Sequence, residues 1–236
     1  MELRTATFNV LADAYIKNGD YSQVNPNVLV AGARTAGVVD TIHALGADVI
    51  GLQEVERPLL GALEDADSWQ SFWTPTGNDK PDGCLLLVRN GIEVSDFQSH
   101  QYSDGSGHVM QSVRIGRAVF ANTHIRWAPQ NDSGHAGVLQ TKELLANIGP
   151  QQPAVIFGDF NDEPGGPVRS LVSEAGFENI FDTDETALVN QRAVSLDVLA
   201  IRGVMGRRIE TEYLPTHIPN ELCPSDHIPL LASVEV

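Results

Sequence analysis

Seven polar side chains each stand where an apolar run gives way to a loop: Asn9, Glu54, His124, Asp159, Asn161, Asp226 and His227. Taken singly, each has an ordinary structural use, as a turn Asp, an Asn cap, a surface carboxylate or a hydrogen-bonded histidine. Taken together they offer carboxylates, amides and imidazoles, with no cysteine among them. Hard oxygen donors without thiolate suit Mg2+ or Mn2+ rather than zinc. Mg2+ keeps several waters and takes only one or two protein carboxylates beside a substrate phosphate. Glu54 with Asn9 meets that need. Asp159 is then free to orient or deprotonate a water, and His124 and His227 can meet charge developing on phosphate oxygens. Phosphate ester hydrolysis is the chemistry that needs this set.

The elements that must position these groups are legible as buried strands. AVIFGDFN is apolar on both faces over residues 154–157, as a strand covered on both sides should be. Gly158 permits a turn or a close approach, and Phe160 anchors in the core between Asp159 and Asn161, which point one way if the chain stays extended. TATFNV ends at Asn9, DVIGLQEV ends at Glu54, and a strand over 118–123 delivers His124. Residues 108–115 form its partner through a tight hairpin at Gly116 and Arg117. GCLLLVR over 83–89 is a further buried strand. SLDVLAI places Asp197 in an apolar run, where an unpaired carboxylate is costly, so a buried partner is expected. In stacked sheets, strand ends on one edge converge. Helices are expected from an Asn27 cap to Gly46, over 57–66, over 135–148, and over 167–175 with Pro167 in its first turn. Loops are expected over 98–108 and 128–134. The stretch 178–195 has no clear periodicity and suits a binding loop.

The 236 residues suffice for one large α/β domain with a real core. No run approaches the length of a membrane span, and MELRTATFNV enters a strand-like alternation rather than a signal peptide. Cys84 and Cys223 lie far apart and fit neither a disulfide scaffold nor a zinc site. These features favour a cytoplasmic protein with no membrane partner. Net charge is −16, from 15 Lys and Arg against 31 Asp and Glu. A protein that grips long duplex DNA shows a basic face, and this chain advertises none. A site meeting one or two phosphates, with a metal supplying positive charge, remains compatible.

FNVLADAY, LQEVE, PDGC, ANTHIRW, GDFNDEP, SLDV and PSDHIPLLA, in this order, resemble the motifs of the endonuclease/exonuclease/phosphatase superfamily with the deoxyribonuclease-I-like fold. They cover essentially the whole chain. FNVLADAY, ANTHIRW followed by Gln140, and PSDHIPL are most similar to its RNA-directed branch of deadenylases, nocturnin, 2′-phosphodiesterase and Angel proteins. The resemblance implies a four-layer α-β-β-α sandwich, two mixed β-sheets packed face to face with helices outside. It implies one catalytic domain over 1–236. It also implies Glu54 as main metal ligand with Asn9 beside it and Asp226 next to the metal and His227. Asp159 then activates the water, Asn161 helps hold the phosphate or nucleophile, His124 and His227 contact phosphate, and Asp197 fixes a catalytic imidazole. The metal is Mg2+ or Mn2+, and the substrate an RNA end or small nucleotide. A phosphatase or phospholipase acting on inositol or lipid phosphates is the alternative. The chain departs from relatives in being short and in carrying His108-Val109-Met110 where they often have Asn; His108 either faces the site or caps a strand, and capping is the preferred role. Arg126 and Trp127, just past His124, are the expected phosphate and base contacts, with a core position the equal alternative for Trp127.

Overall fold

The computed structural model describes residues 1–65, 68–128, 136–182, 184–211 and 218–236. The chain runs β1 (Glu2–Asn9), α1 (Thr35–Ala44), β2 (Val49–Gln53), α2 (Arg57–Glu64), β3 (Trp69–Pro75), β4 (Gly83–Arg89), β5 (Ser95–Gln101), β6 (Val109–Ile115) and β7 (Ala118–His124). It continues through α3 (Ala136–Ile148), β8 (Ala154–Asp159), α4 (Pro167–Glu174), β9 (Glu178–Asn179), β10 (Ala187–Val189), β11 (Arg192–Val194), β12 (Asp197–Arg202), β13 (Met205–Ile209) and β14 (Leu230–Glu235).

Two six-stranded sheets form, in the orders β13-β14-β1-β2-β4-β3 and β5-β6-β7-β8-β12-β9. Both are mixed: β1–β2 and β7–β8 are parallel, while β14 and β12 flank them antiparallel. β2, β4 and β8 carry the continuous apolar runs, because both their faces are covered. Between the sheets lie Leu86, Val113, Phe120, Phe157 and Leu199. Outside the first sheet, Phe8, Ile50 and Leu87 pack on Ile42 of α1 and Leu60 and Leu63 of α2. Outside the second, Ile156 and Phe160 pack on Leu144 of α3 and Val168 and Val172 of α4. These are the four layers of an α-β-β-α sandwich. No described helix is long and apolar enough to cross a membrane.

Just beneath the strand ends, a buried amide network joins the sheets. Gln53 Nε2 donates to Asn122 Oδ1 at 2.7 Å, and Asn122 Nδ2 donates to the carbonyls of Leu52 and Leu85. Buried polar groups satisfied in this way specify one arrangement of the two sheets. Gly158 is required here for a second reason: its φ is +147°, and a Cβ would lie 1.9 Å from the Thr123 carbonyl oxygen. β7 and β8 approach so closely only because that position has no side chain.

Several local expectations need correction. The helix expected from Asn27 begins only at Thr35, preceded by a 3-10 turn, Pro26–Leu29, that the Asn25 side chain caps. Gly32, in the left-handed region at φ +81°, interrupts the helical path. The stretch 98–108 is a loop only in its second half. Its first residues belong to β5, an almost wholly exposed edge strand with a bulge between Ser95 and Gln98, paired to β6. The aperiodic 178–195 contains the short β9 and the separate hairpin β10–β11. Apart from Ala128, the loop expected over 128–134 lies outside the described residues, as do the last residue of the 57–66 helix and the first of the 135–148 helix.

Candidate active site

Register alone brings the first three side chains together. His124 on β7 pairs across to Asp159 on β8, and Asp159 pairs across to Asp197 on β12. Asp159 is 2% exposed; its Oδ1 accepts from the Asn161 backbone N–H at 2.9 Å and its Oδ2 from Asn9 Nδ2 at 3.0 Å. Asn161 reaches this position by a turn, with φ +49°, rather than by extended continuation of the strand. Its side-chain nitrogen lies 3.1 Å from His124 Nε2 and donates to the Ile125 carbonyl.

His227 lies over Asp159. Its Nδ1 is 2.8 Å from Asp197 Oδ2, and its Nε2 is 3.7 Å from Asp159 Oδ2. Asp197 has therefore found the buried partner its position demands. Burial opposes charge on this imidazole, but the carboxylates of Asp197, Asp159 and Asp226 outweigh it and raise its pKa well above the ordinary histidine value. Burial likewise pushes the Asp197 carboxyl up. We place the shared proton on the ring, because three carboxylates favour its charge and the charged ring in turn favours the ionised Asp197. His227 then carries a donor on each nitrogen.

Across the cavity, Glu54 holds a left-handed backbone at φ +61°. Its Oε2 accepts from the Ala12 backbone N–H at 2.9 Å and its Oε1 from Asn9 Nδ2 at 3.2 Å. The Asn9 amide thus ties Glu54 to Asp159, while Asn9 Oδ1 accepts from Leu11 N. Burial raises the Glu54 carboxyl pKa; His124 opposes the shift and the neighbouring Asp226 carboxylate adds to it. Asp226 Oδ2 accepts from the Tyr21 hydroxyl at 2.7 Å. Ser225 locks the two halves together, donating from Oγ to the Asn9 carbonyl at 2.7 Å and accepting from His227 N.

Would a divalent cation fit? Carboxylates crowd together here, and Glu54 is driven toward protonation by burial beside Asp226. Among the described residues lining the cavity there is no cysteine. Oxygen donors short of positive charge suit a hard divalent ion. Asp159, Asp197 and His227 also place one potential ligand atom each within 4.8 Å of one another. In that group, however, the His227 Nδ1 and Asp197 contact is already a mutual hydrogen bond, which suits orientation of the ring.

The cavity over these groups has a volume of about 830 Å3. Arg126 and Trp127 both line it, and Trp127 is 63% exposed, which rules out a core role. Gln140, fully buried on α3, holds this segment by accepting from Arg126 N at 2.8 Å.

The wall also contains His108, for which the sequence favours strand capping over a place in the site. His108 does not merely cap β6: its Nδ1 donates to the His124 carbonyl at 2.9 Å and its Nε2 lies 3.0 Å from Lys80 Nζ. An Nδ1 that donates leaves Nε2 as acceptor, so a neutral ring holds the Lys80 ammonium at the cavity edge. Burial first, then the charges of His124 and Lys80, depress the His108 pKa to about 4. Tyr21 and Arg34 are likewise additions that the structure makes. Arg34 is buried and donates to the carbonyls of Val10 and Pro224, joining the end of the strand carrying Asn9 to the loop carrying Asp226. Its signal is faint, since a lone arginine before a helix reads as surface.

A sequence model described as Endonuclease/Exonuclease/phosphatase family matches residues 6–227. Protein angel homolog 2 of Bos taurus is 26% identical over 204 residues, covering 73% of this chain and 37% of that protein. Carbon catabolite repressor protein 4 homolog 4 of Arabidopsis thaliana is 23% identical over 234 residues, covering 73% and 56%. The chain thus spans little more than a third of the angel homolog it matches. Among solved structures, ANGEL2, a 2′,3′-cyclic phosphatase, in complex with adenosine-2′,3′-vanadate, matches with a TM-score of 0.80 at 19% identity, covering 99% of this chain and 95% of that one. The human Nocturnin catalytic domain with bound sulfate anion matches at 0.74 and 21% identity, covering 99% and 93%. At such identities the structural likeness speaks for the fold.

Proposed function

The chain belongs to the Endonuclease/Exonuclease/phosphatase family, and from that premise we propose that it hydrolyses phosphoester bonds of RNA ends or small nucleotides with a divalent metal. The observation that carries this reading is the Asp197–His227–Asp159 alignment facing Glu54 and Asn9 across one cavity. Its similarity to an angel homolog and to the ANGEL2 cyclic phosphatase favours a ribonucleotide substrate.

Glu54 and Asp226, with Asn9 beside them, would hold Mg2+ or Mn2+, which supplies Lewis-acid stabilisation of a phosphoryl oxygen when bound. Asp159 is fixed on both oxygens by Asn9 and Asn161 and keeps acceptor capacity toward a water, whose proton it takes as general base. His227, protonated and oriented by Asp197, presents its Nε2–H to the charge that develops on phosphate. His124 serves the same phosphate from β7, its side chain steadied by Asn161. Lys80 and Arg126 contribute positive charge from the rim, and the exposed ring of Trp127 offers a stacking face for a base.

The test is a substrate panel with Mg2+ or Mn2+: oligo(A), 2′–5′ oligoadenylate, RNA ending in a 2′,3′-cyclic phosphate, duplex DNA and inositol phosphates. Hydrolysis is expected on one or more of the RNA substrates and abolished by EDTA. Activity confined to inositol phosphates would overturn the ribonucleotide reading, and activity resistant to EDTA would overturn the metal.

A further inference from the structure

We propose that the β10–β11 hairpin and the loop after β1 form a fixed clasp across one flank of the cavity, so that a chain end, but not the interior of a strand, reaches Asp159. The clasp rests on the RNA-end reading above and supplies a physical device for it. Neither element belongs to a six-stranded sheet. Val189 pairs with Arg192, leaving a two-residue turn at Asn190 and Gln191, both left-handed with φ of 48° and 65°. Glutamine rarely adopts that conformation, and here the turn aims both side chains at the loop.

Four hydrogen bonds cross the gap. Asp20 N donates to Asn190 Oδ1 at 3.1 Å; Gln191 Nε2 donates to Asp20 Oδ2 at 2.8 Å and to Ser22 Oγ at 3.0 Å; and Gln23 Nε2 donates to Gln191 Oε1. The two jaws are also pinned at their base to one residue of the site. Tyr21 donates to the Asp226 carboxylate, and Leu188 N donates to the Asp226 carbonyl at 2.7 Å.

Gly19 and Tyr21 from the loop and Leu188 and Val189 from the hairpin line the cavity, as do Arg126 and Trp127; the hairpin leads into β12 and Arg126 and Trp127 follow β7, the two strands on either side of β8 and its Asp159. A phosphodiester inside a strand must extend away from the reacting phosphate in two directions. With the jaws joined, one direction is closed. A terminal phosphoester needs only the side of Arg126 and Trp127, and the apolar Leu188 and Val189 then face the last sugar or base.

The test compares a linear single-stranded RNA with the same sequence ligated into a circle, using the wild type and Asn190→Gly/Gln191→Gly. Glycine keeps the left-handed turn while all four cross-bonds are lost. The wild type is expected to cut the linear RNA roughly a hundredfold faster, and that preference should fall by about tenfold in the double variant. A circle cut by the wild type as fast as the linear form overturns the clasp, as does an unchanged preference in the variant. If neither RNA is cut, the RNA reading fails, and hydrogen exchange at the Asp20 amide decides the clasp separately. Protection of about tenfold in the wild type, lost in the double variant, upholds the closed flank; exchange at the open-loop rate in the wild type overturns it.

Discussion

His108 offers the most quantitative test of the site's electrostatics. Replacing it with Asn keeps a donor near Nδ1 but removes a titrating ring. In the folded protein the His108 pKa is depressed from 6.5 to about 4, mainly by burial. Between those values the unfolded chain binds a proton that the folded one refuses, so stability falls as pH falls. The contribution is fully present above the unfolded value and is lost as pH drops through the folded one. One pKa unit corresponds to about 1.4 kcal/mol, so complete loss would approach about 3 kcal/mol. Part of the ring meets the cavity, and solvent screening trims this to about 2 kcal/mol. Urea unfolding followed by tryptophan fluorescence, at about pH 7.5 and about pH 4.5, measures it in both proteins. Carboxylate titrations are common to both, so the stability gap between wild type and His108→Asn isolates the ring. That gap should shift in favour of the variant by about 2 kcal/mol on acidification. Parallel pH dependences would refute the depressed His108 pKa, and with it the burial and neighbouring charge that keep the ring neutral in acid.

Gly158→Ala forces a Cβ to within 1.9 Å of the Thr123 carbonyl oxygen and should cost roughly 3 kcal/mol or more by thermal or urea denaturation; a stable variant would contradict the β7–β8 spacing. Gln140→Ala removes the acceptor for Arg126 N and should cost about 1–3 kcal/mol, with KM raised more than kcat is lowered. Mn2+ at about a hundred times its Kd should stabilise the wild type by about 2.7 kcal/mol, seen as a raised Tm, and should do far less for Glu54→Gln. An equal shift in both proteins would remove Glu54 from the metal site.

The site is legible because its residues terminate strands whose apolar runs are unmistakable. DVIGLQEV and AVIFGDFN announce burial on both faces, and each gives way to polar residues at its end. Asp197 announces itself by cost, as a carboxylate in a run that becomes fully buried, and His227 meets that cost. The less legible parts share a different physics. β5 carries SDFQSHQ on an exposed sheet edge, so no alternation marks it. The start of the helix before β2 is masked, because a proline-initiated 3-10 turn and a left-handed Gly32 occupy what the apolar spacing assigns to helix. His108 and Lys80 lie 28 positions apart, and their contact exists only through tertiary packing. The hairpin at 187–194 is held by cross-bonds to a distant loop rather than by its own pattern.

In the proposed division of labour, Asp159 prepares the attacking water while Glu54 serves the metal. The most direct measurement is the single-turnover rate of hydrolysis of an RNA end with Mn2+, in wild type and Asp159→Asn. Asn preserves the shape and can accept from Asn9 or from the Asn161 backbone N–H, though not from both, and it cannot take a proton. The rate is expected to fall by roughly a thousandfold while the wild-type fold is retained. A rate within a few-fold of wild type would contradict the account.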